Sequence, residues 1–171
     1  YISSAALDDD SNPLPYVQVK YGCYKDETYT SVNANDIPLM RVEEMYLILA
    51  EAQAMSGNAS AGAATLQNFV STYRDPAYTC TASSPQAVQD AVWQQRRIEL
   101  WGEGFSYADI MRLKKDIDRR GAGFEPAYVY HIPAGDPVLV YPIPNSEIEA
   151  NPMLEHDTNP TLTAPSPVAD N

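Results

Sequence analysis

The chain has 171 residues, 44% of them hydrophobic, with 23 Asp+Glu against 11 Lys+Arg and a formal net charge of −12. That length suits one domain, and that hydrophobic share can bury a core. The charge excludes a nucleic-acid backbone or an anionic lipid surface as the main partner, because both need a basic face.

The longest apolar run, Met45 to Ala50, is far short of the ~20 residues of a membrane span. No signal peptide is legible at Tyr1, and the absence of an initial Met reads as a mature product or a cut piece. Twelve Tyr and fourteen Pro are distributed unevenly: five tyrosines precede residue 30 and nine prolines lie between 126 and 167. The expectation is a single domain over 1–171, a fragment of a longer chain, in three stretches: 1–36, 37–115 and 116–171.

In the first stretch, Tyr16-Val-Gln-Val-Lys-Tyr21 alternates as a strand that Gly22 stops. Residues 36–57 predict the strongest helix, with Asp36 as N-cap, Pro38 in the first turn and Gly57 as terminator. Val42, Met45, Tyr46, Leu49 and Ala52 hold one face, and Leu47 and Ile48 widen the apolar arc, so this helix is expected to be buried on more than one side. Ser60 is expected to cap a second helix reaching Tyr73, striped by Leu66, Phe69, Val70 and Tyr73. Ser84-Pro85 opens a third, with Val88, Ala91, Val92 and Ile98 on one face, and a short fourth runs from Phe105 to Lys115. The first pair has the length of a tetratricopeptide-type hairpin. Beyond 116, Gly121-Ala-Gly123 and the prolines exclude long helices. Val138–Tyr141 reads as extended, Asn145–Glu149 as one helical turn, and the tail from Pro152 as an extended segment on the surface.

Little here resembles catalytic machinery. Glu99 and Glu103, placed i,i+4 on the third helix, have the 5–6 Å carboxylate spacing of a retaining glycosidase. Arg96, Arg97 and Arg112 are interleaved with them and with Asp109, however, and neighbouring cations keep carboxylates ionised when a general acid needs the opposite. The preferred reading is an ion-pair network stapling helix three to helix four. Arg41, Glu44 and Glu51 on the first helix read the same way, with Arg41 and Glu44 able to pair at i,i+3.

Asp8-x-Asp10-x-Asn12 begins like a calcium loop but has Pro13 where glycine is needed and Val19 where glutamate is needed. His131 and His156 lie in different loops, which gives zinc no support. Cys23 and Cys80 can be bonded or free. Lys114, Lys115, Arg119 and Arg120 suit a helix C-terminus. The functional lead is aromatic. Tyr24 and Tyr29, with Asp26, Asn33 and Asn35 in one polar loop, offer rings to stack on sugar faces and polar groups to bond hydroxyls.

Three segments together are similar to the SusD/RagB family of outer-membrane glycan-binding lipoproteins. Asp36-Ile-Pro-Leu-Met-Arg-Val-Glu-Glu-Met-Tyr-Leu-Ile-Leu-Ala-Glu-Ala52 resembles the family's Arg-x-x-Glu-x-Tyr-Leu-x-x-Ala-Glu-Ala helix. Arg96-Arg-Ile-Glu-Leu-Trp-Gly-Glu-Gly104 with Asp109-Ile-Met-Arg112 resembles its Arg-Arg-x-Glu-Leu…Glu-Gly…Asp-Leu-x-Arg stretch. Tyr141-Pro-Ile-Pro-Asn-Ser-Glu-Ile-Glu-Ala-Asn-Pro152 resembles its Pro-Ile-Pro-x-x-Glu-Ile…Asn-Pro ending. Ser106 stands where the family usually has Arg.

The resemblance implies an all-α fold of TPR-like antiparallel helix hairpins with long Pro-rich irregular loops, and that this is the C-terminal third of a longer chain. It implies non-enzymatic binding of an oligosaccharide or peptide at a Bacteroidetes-type cell surface and delivery to a TonB-dependent, SusC-like transporter. Attachment to the membrane would be only through a lipid anchor that this chain lacks. The family's stacking aromatics mostly lie upstream of these motifs, so none is carried over. The alternatives are the small glycosidase using Glu99 and Glu103 and a repeat scaffold that binds a protein helix. No cofactor is expected.

Overall fold

The computed structural model describes residues 2–3, 17–18, 20, 39–154 and 159–170. The chain divides into two compact units, Tyr1–Val42 and Glu43–Asn171. In the first, strands β1 (Ile2–Ser3) and β2 (Val17–Gln18) pair antiparallel, with Ile2 opposite Gln18 and Ser3 opposite Val17. The strand predicted for Tyr16–Tyr21 is thus described at Val17–Gln18, and Lys20 already lies in a turn.

The second unit is an all-α scaffold with an irregular C-terminal segment. Helix α1 spans Val42–Met55, α2 Ala59–Tyr73, α3 Pro85–Glu99 and α4 Phe105–Leu113. The start of α1 corrects the expected one. Leu39–Arg41 are not helical, so Asp36 and Pro38 stand upstream of the first turn and outside the described residues. Glu43 and Glu44 occupy that turn, where carboxylates offset the helix dipole. Gly57, at φ +98°, ends the helix as read from the sequence. The cap of α2 is Asn58 rather than Ser60. Its side-chain oxygen accepts from the Ala61 amide at 3.1 Å, leaving Ser60 inside the helix. Ser84 caps α3 by accepting from Ala87 at 3.1 Å, with Pro85 in the first turn.

One core joins three helices: Leu47, Ala50 and Ala54 from α1, Leu66, Phe69 and Val70 from α2, and Val88 and Val92 from α3. Helices α1 and α2 form the hairpin, and they cross closely where Gly62 faces the backbone of Ala50. The stripe of α3 departs from expectation at one end. Ile98 is exposed, and Gln95, Arg96 and Glu99 hold the buried positions after Val92. The helical repeat carries the inward face from 88 and 92 to 95, 96 and 99, so Ile98 is off it. Polar groups buried there need partners, and their positions create the charged cluster described below.

After α4, Lys114 at φ 51° turns the chain away. Strands β3 (Ile117–Asp118) and β4 (His131–Ile132) pair antiparallel, with Asp118 opposite His131. The run Val138–Tyr141 is not uniformly extended. Pro137–Leu139 make a 3-10 turn, because Pro137 fixes φ and the Asp136 carboxylate accepts from the Val138 amide. Helix α5 is Asn145–Ala150. The described tail lies against the unit: Val168 donates its amide to Val129 at 2.8 Å, and Asn159 bonds both the amide and the carbonyl of Ile143 at 2.8 Å. Among the described residues, no helix is long and apolar enough to cross a membrane.

Candidate functional site

Three elements contribute charged side chains to one cluster. Arg96, on the inward face of α3, donates to Asp109 of α4 at 2.7 Å and lies 3.7 Å from Glu44 of α1. All three are buried. Arg112, one turn after Asp109, donates to it at 2.9 Å and grips Glu51 of α1 through both terminal nitrogens, at 2.6 and 2.8 Å. Gln89 of α3 also donates to Glu51, at 2.9 Å. The guanidinium of Arg96 further lies 5.5 Å from the Phe105 ring centre. The cluster therefore ties α1, α3 and α4 together, and each carboxylate faces at least one guanidinium.

Burial alone would push the Glu51 carboxyl up. The hydrogen bonds from Arg112 and Gln89 and the charges of Arg112 and Arg96 outweigh that, and its pKa falls below the ordinary 4.5. Donating to Glu51 first, and to Asp109, holds Arg112 above its ordinary range. A carboxyl depressed on folding stabilises the fold above its unfolded pKa and loses that contribution as the pH falls through the folded value. Stability is therefore expected to decline as the pH falls below 4.5, and Glu51→Gln is expected to flatten the decline. Urea midpoints at a series of acid pH values and constant ionic strength check this; an identical slope in the variant would assign the acid sensitivity elsewhere.

Glu99 and Glu103 do not share a helix. Helix α3 ends at Glu99, and Glu103 lies in the following turn, its amide bonded to the Leu100 carbonyl at 3.1 Å. Glu99 is buried and takes a two-point grip from Arg74, at 2.6 and 2.8 Å. Hydrogen bonding to Glu99 is the first cause of Arg74's raised pKa, and the same guanidinium reaches Glu43 at 3.2 Å. Arg74 did not stand out in the sequence. It caps the end of α2, 25 residues from Glu99, and no local spacing links them.

Of the other residues singled out, Arg97 is exposed and lies 5.2 Å from the Trp93 ring centre, with the Lys115 ammonium 5.1 Å from that centre. Arg41 precedes α1. Cys80 carries a free thiol, and Cys23 lies outside the described residues. Tyr24, Asp26, Tyr29, Asn33 and Asn35 also lie outside them. The described part has aromatics of its own. Tyr107 and the highly exposed Tyr141 pack with ring centres 5.3 Å apart, and the Tyr107 hydroxyl donates to the Leu139 carbonyl. Among the described residues, no three His, Cys, Asp or Glu side chains are grouped to hold a metal ion.

A family model described as the SusD family matches residues 4–161. A SusD-like carbohydrate binding protein from Bacteroides vulgatus ATCC 8482 shares 30% identity over 75% of this chain, with a TM-score of 0.59. A SusD superfamily protein from the same organism shares 27% identity over 74% of the chain, with a TM-score of 0.58. The matches cover 32% and 28% of those two proteins, so the chain spans under a third of their length. No curated protein matches.

Proposed function

The chain belongs to the SusD family, and from that membership we propose that it is part of a non-enzymatic receptor for oligosaccharides. The receptor is a surface lipoprotein of the outer membrane of a Bacteroidetes-type cell. It captures glycan, or peptide in some members, and passes it to a TonB-dependent, SusC-like transporter. The mechanism is capture without chemistry: the helices α1–α4 form a rigid frame, and loops on it present aromatic rings and amides to the ligand.

The family match over residues 4–161 carries this reading. The state of the carboxylates supports it. A glycosidase needs one carboxyl able to give up a proton near the sugar, whereas Glu99 is buried against the Arg74 guanidinium. We assign Arg41, Glu44, Arg96, Arg97, Glu99, Glu103, Asp109 and Arg112 to bracing the frame.

Tyr24 and Tyr29, with Asn33 and Asn35, are proposed as one wall of the ligand site. Glycan arrays followed by calorimetry on the full polypeptide test this. Tyr24→Ala/Tyr29→Ala is expected to weaken oligosaccharide binding about tenfold, on the order of 1.4 kcal/mol, and Glu99→Gln/Glu103→Gln to leave ligand intact and uncleaved. Unchanged affinity in the tyrosine variant would move the site elsewhere. Glycan hydrolysis that disappears in the glutamine variant would establish the glycosidase instead.

A further inference from the structure

The connection between α2 and α3 alternates like extended chain but joins no sheet. Tyr78, Cys80 and Ala82 pack against the core, while Thr79, Thr81 and Ser83 between them are exposed. A period of two sets the three hydroxyls along one side at intervals of about 6–7 Å. The run is pinned at several points. The Asp75 carboxylate accepts from the Ala77 amide at 2.9 Å, and the Tyr78 amide donates to the Asp75 carbonyl at 2.9 Å. The Cys80 amide donates to the Gln67 side chain of α2 at 3.1 Å. A groove of about 440 Å³ lies between this run and α3, where Ala87, Asp90, Ala91 and Gln94 follow the 3-and-4 spacing of one helix face. That volume is within the ~300–1,000 Å³ of small-molecule sites.

The lining suits a polyol. Among the described residues, the side chains of Thr81, Ser83 and Gln94 line the groove and make no hydrogen bond to protein. They offer two hydroxyls that both donate and accept, and a carboxamide with both functions, the mixture that sugar hydroxyls need. The methyl groups of Ala87 and Ala91 add apolar surface for the C–H groups of a ring. No large aliphatic side chain lines the groove to seat the side chains of a peptide. Charge selects further. Asp90 is the one charged side chain in the lining, and Lys115 pairs with it. The chain's net charge of −12 opposes an anionic ligand. We propose that this groove is a second oligosaccharide contact, selective for uncharged sugars. The assignment rests on the receptor reading above and adds to it a site on the α2–α3 connection, separate from the tyrosine loop.

The test uses the full polypeptide and the free thiol of Cys80, which itself lines the groove. Maltohexaose, cellohexaose and xylohexaose are the neutral probes and hexagalacturonate the anionic one. Each is added before iodoacetamide, and alkylation of Cys80 is followed by mass spectrometry. At about ten times its Kd, a neutral probe is expected to slow that alkylation about tenfold, and hexagalacturonate to leave it unchanged. The variant Thr81→Ala/Ser83→Ala/Gln94→Ala changes exposed side chains alone. It is expected to need at least about tenfold more of the same sugar for equal protection, the loss of two or three neutral hydrogen bonds. Cys80 left unprotected by every neutral probe would overturn the proposal. So would protection by the uronate as strong as by the neutral sugars, or protection that the triple variant keeps in full. Calorimetry on the same samples separates this from the receptor reading. Binding heat without protection at Cys80 removes the groove and leaves the receptor, whereas no binding by any glycan on the array removes both.

Discussion

Replacing Arg96 by Met is expected to cost about 3–5 kcal/mol of folding stability. Arg96 is the cation between two carboxylates on different helices, Asp109 at 2.7 Å and Glu44 at 3.7 Å, and all three side chains are buried. Met fills much of the same volume, so packing is nearly conserved and the loss reports charge. Asp109 keeps Arg112 at 2.9 Å, whereas Glu44 loses the guanidinium it faces in the described structure and remains desolvated. An uncompensated buried carboxylate is costly, while a buried pair taken whole is close to neutral. The triple variant Glu44→Gln/Arg96→Met/Asp109→Asn is therefore expected to recover most of the loss. Urea unfolding followed by circular dichroism measures both. With a slope of about 2 kcal/mol per molar urea, the single variant's midpoint falls by roughly 2 M. A fall of less than about 0.5 M, equivalent to the 1 kcal/mol or so of an exposed pair, would show that the cluster is as dispensable as a surface salt bridge.

The second large effect concerns Gly62. A Cβ built there lies 2.5 Å from the Ala50 carbonyl oxygen and 3.0 Å from both the amide nitrogen and the Cβ of Ala54. Two opposing terms follow. Ala gains about 1 kcal/mol over Gly in helix propensity. The contact with the Ala50 oxygen is against backbone, so it is relieved only by moving α1 away from α2 and loosening the packing around Ala54 and Leu66. Overpacking of this kind costs about 1–3 kcal/mol and at times more. Because the neighbour cannot rotate away, the upper part of that range applies and steric cost exceeds the propensity gain. Gly62→Ala is expected to lower the thermal midpoint by about 4–8 °C, and Gly62→Val by more. Adding Ala54→Gly removes one 3.0 Å contact and leaves the carbonyl in place, so it should restore little. A Gly62→Ala variant more stable than the parent would mean that the two helices separate easily at that point.

The helices were legible because their apolar spacing and punctuation agree. Gly57, Ser84-Pro85 and Gly104 each mark a boundary that the structure keeps. The boundaries that shifted are those where two chemically similar residues compete. Asn58 and Ser60 are both good N-caps, and the turn after Gly57 delivers the first to the open Ala61 amide. Counting in fours puts Glu103 on α3, yet Gly102 and Gly104 at positive φ take the chain out of the helix around it. Ion-pair residues could be named from sequence, but their partners could not. Glu51 and Arg112 are 61 residues apart, and Arg74 and Glu99 25. Spacing reveals neighbours within a helix, whereas these contacts exist only after three helices have packed. The tyrosine loop is the converse case, a chemical argument from composition whose residues lie outside those described.

The clasp between Asn159 and Ile143 has a consequence for the chemical durability of the C-terminal segment. One carboxamide uses its oxygen to accept from the Ile143 amide and its nitrogen to donate to the Ile143 carbonyl. Hydrolysis of that carboxamide to a carboxylate would set negative charge against a carbonyl and undo half of the clasp. Asparagine ages this way when the next residue's backbone nitrogen attacks its side chain to close a succinimide ring. Here the next residue is Pro160, whose nitrogen carries no hydrogen and cannot close that ring. The fastening is therefore made from an ageing-prone side chain placed where the usual route of ageing is blocked.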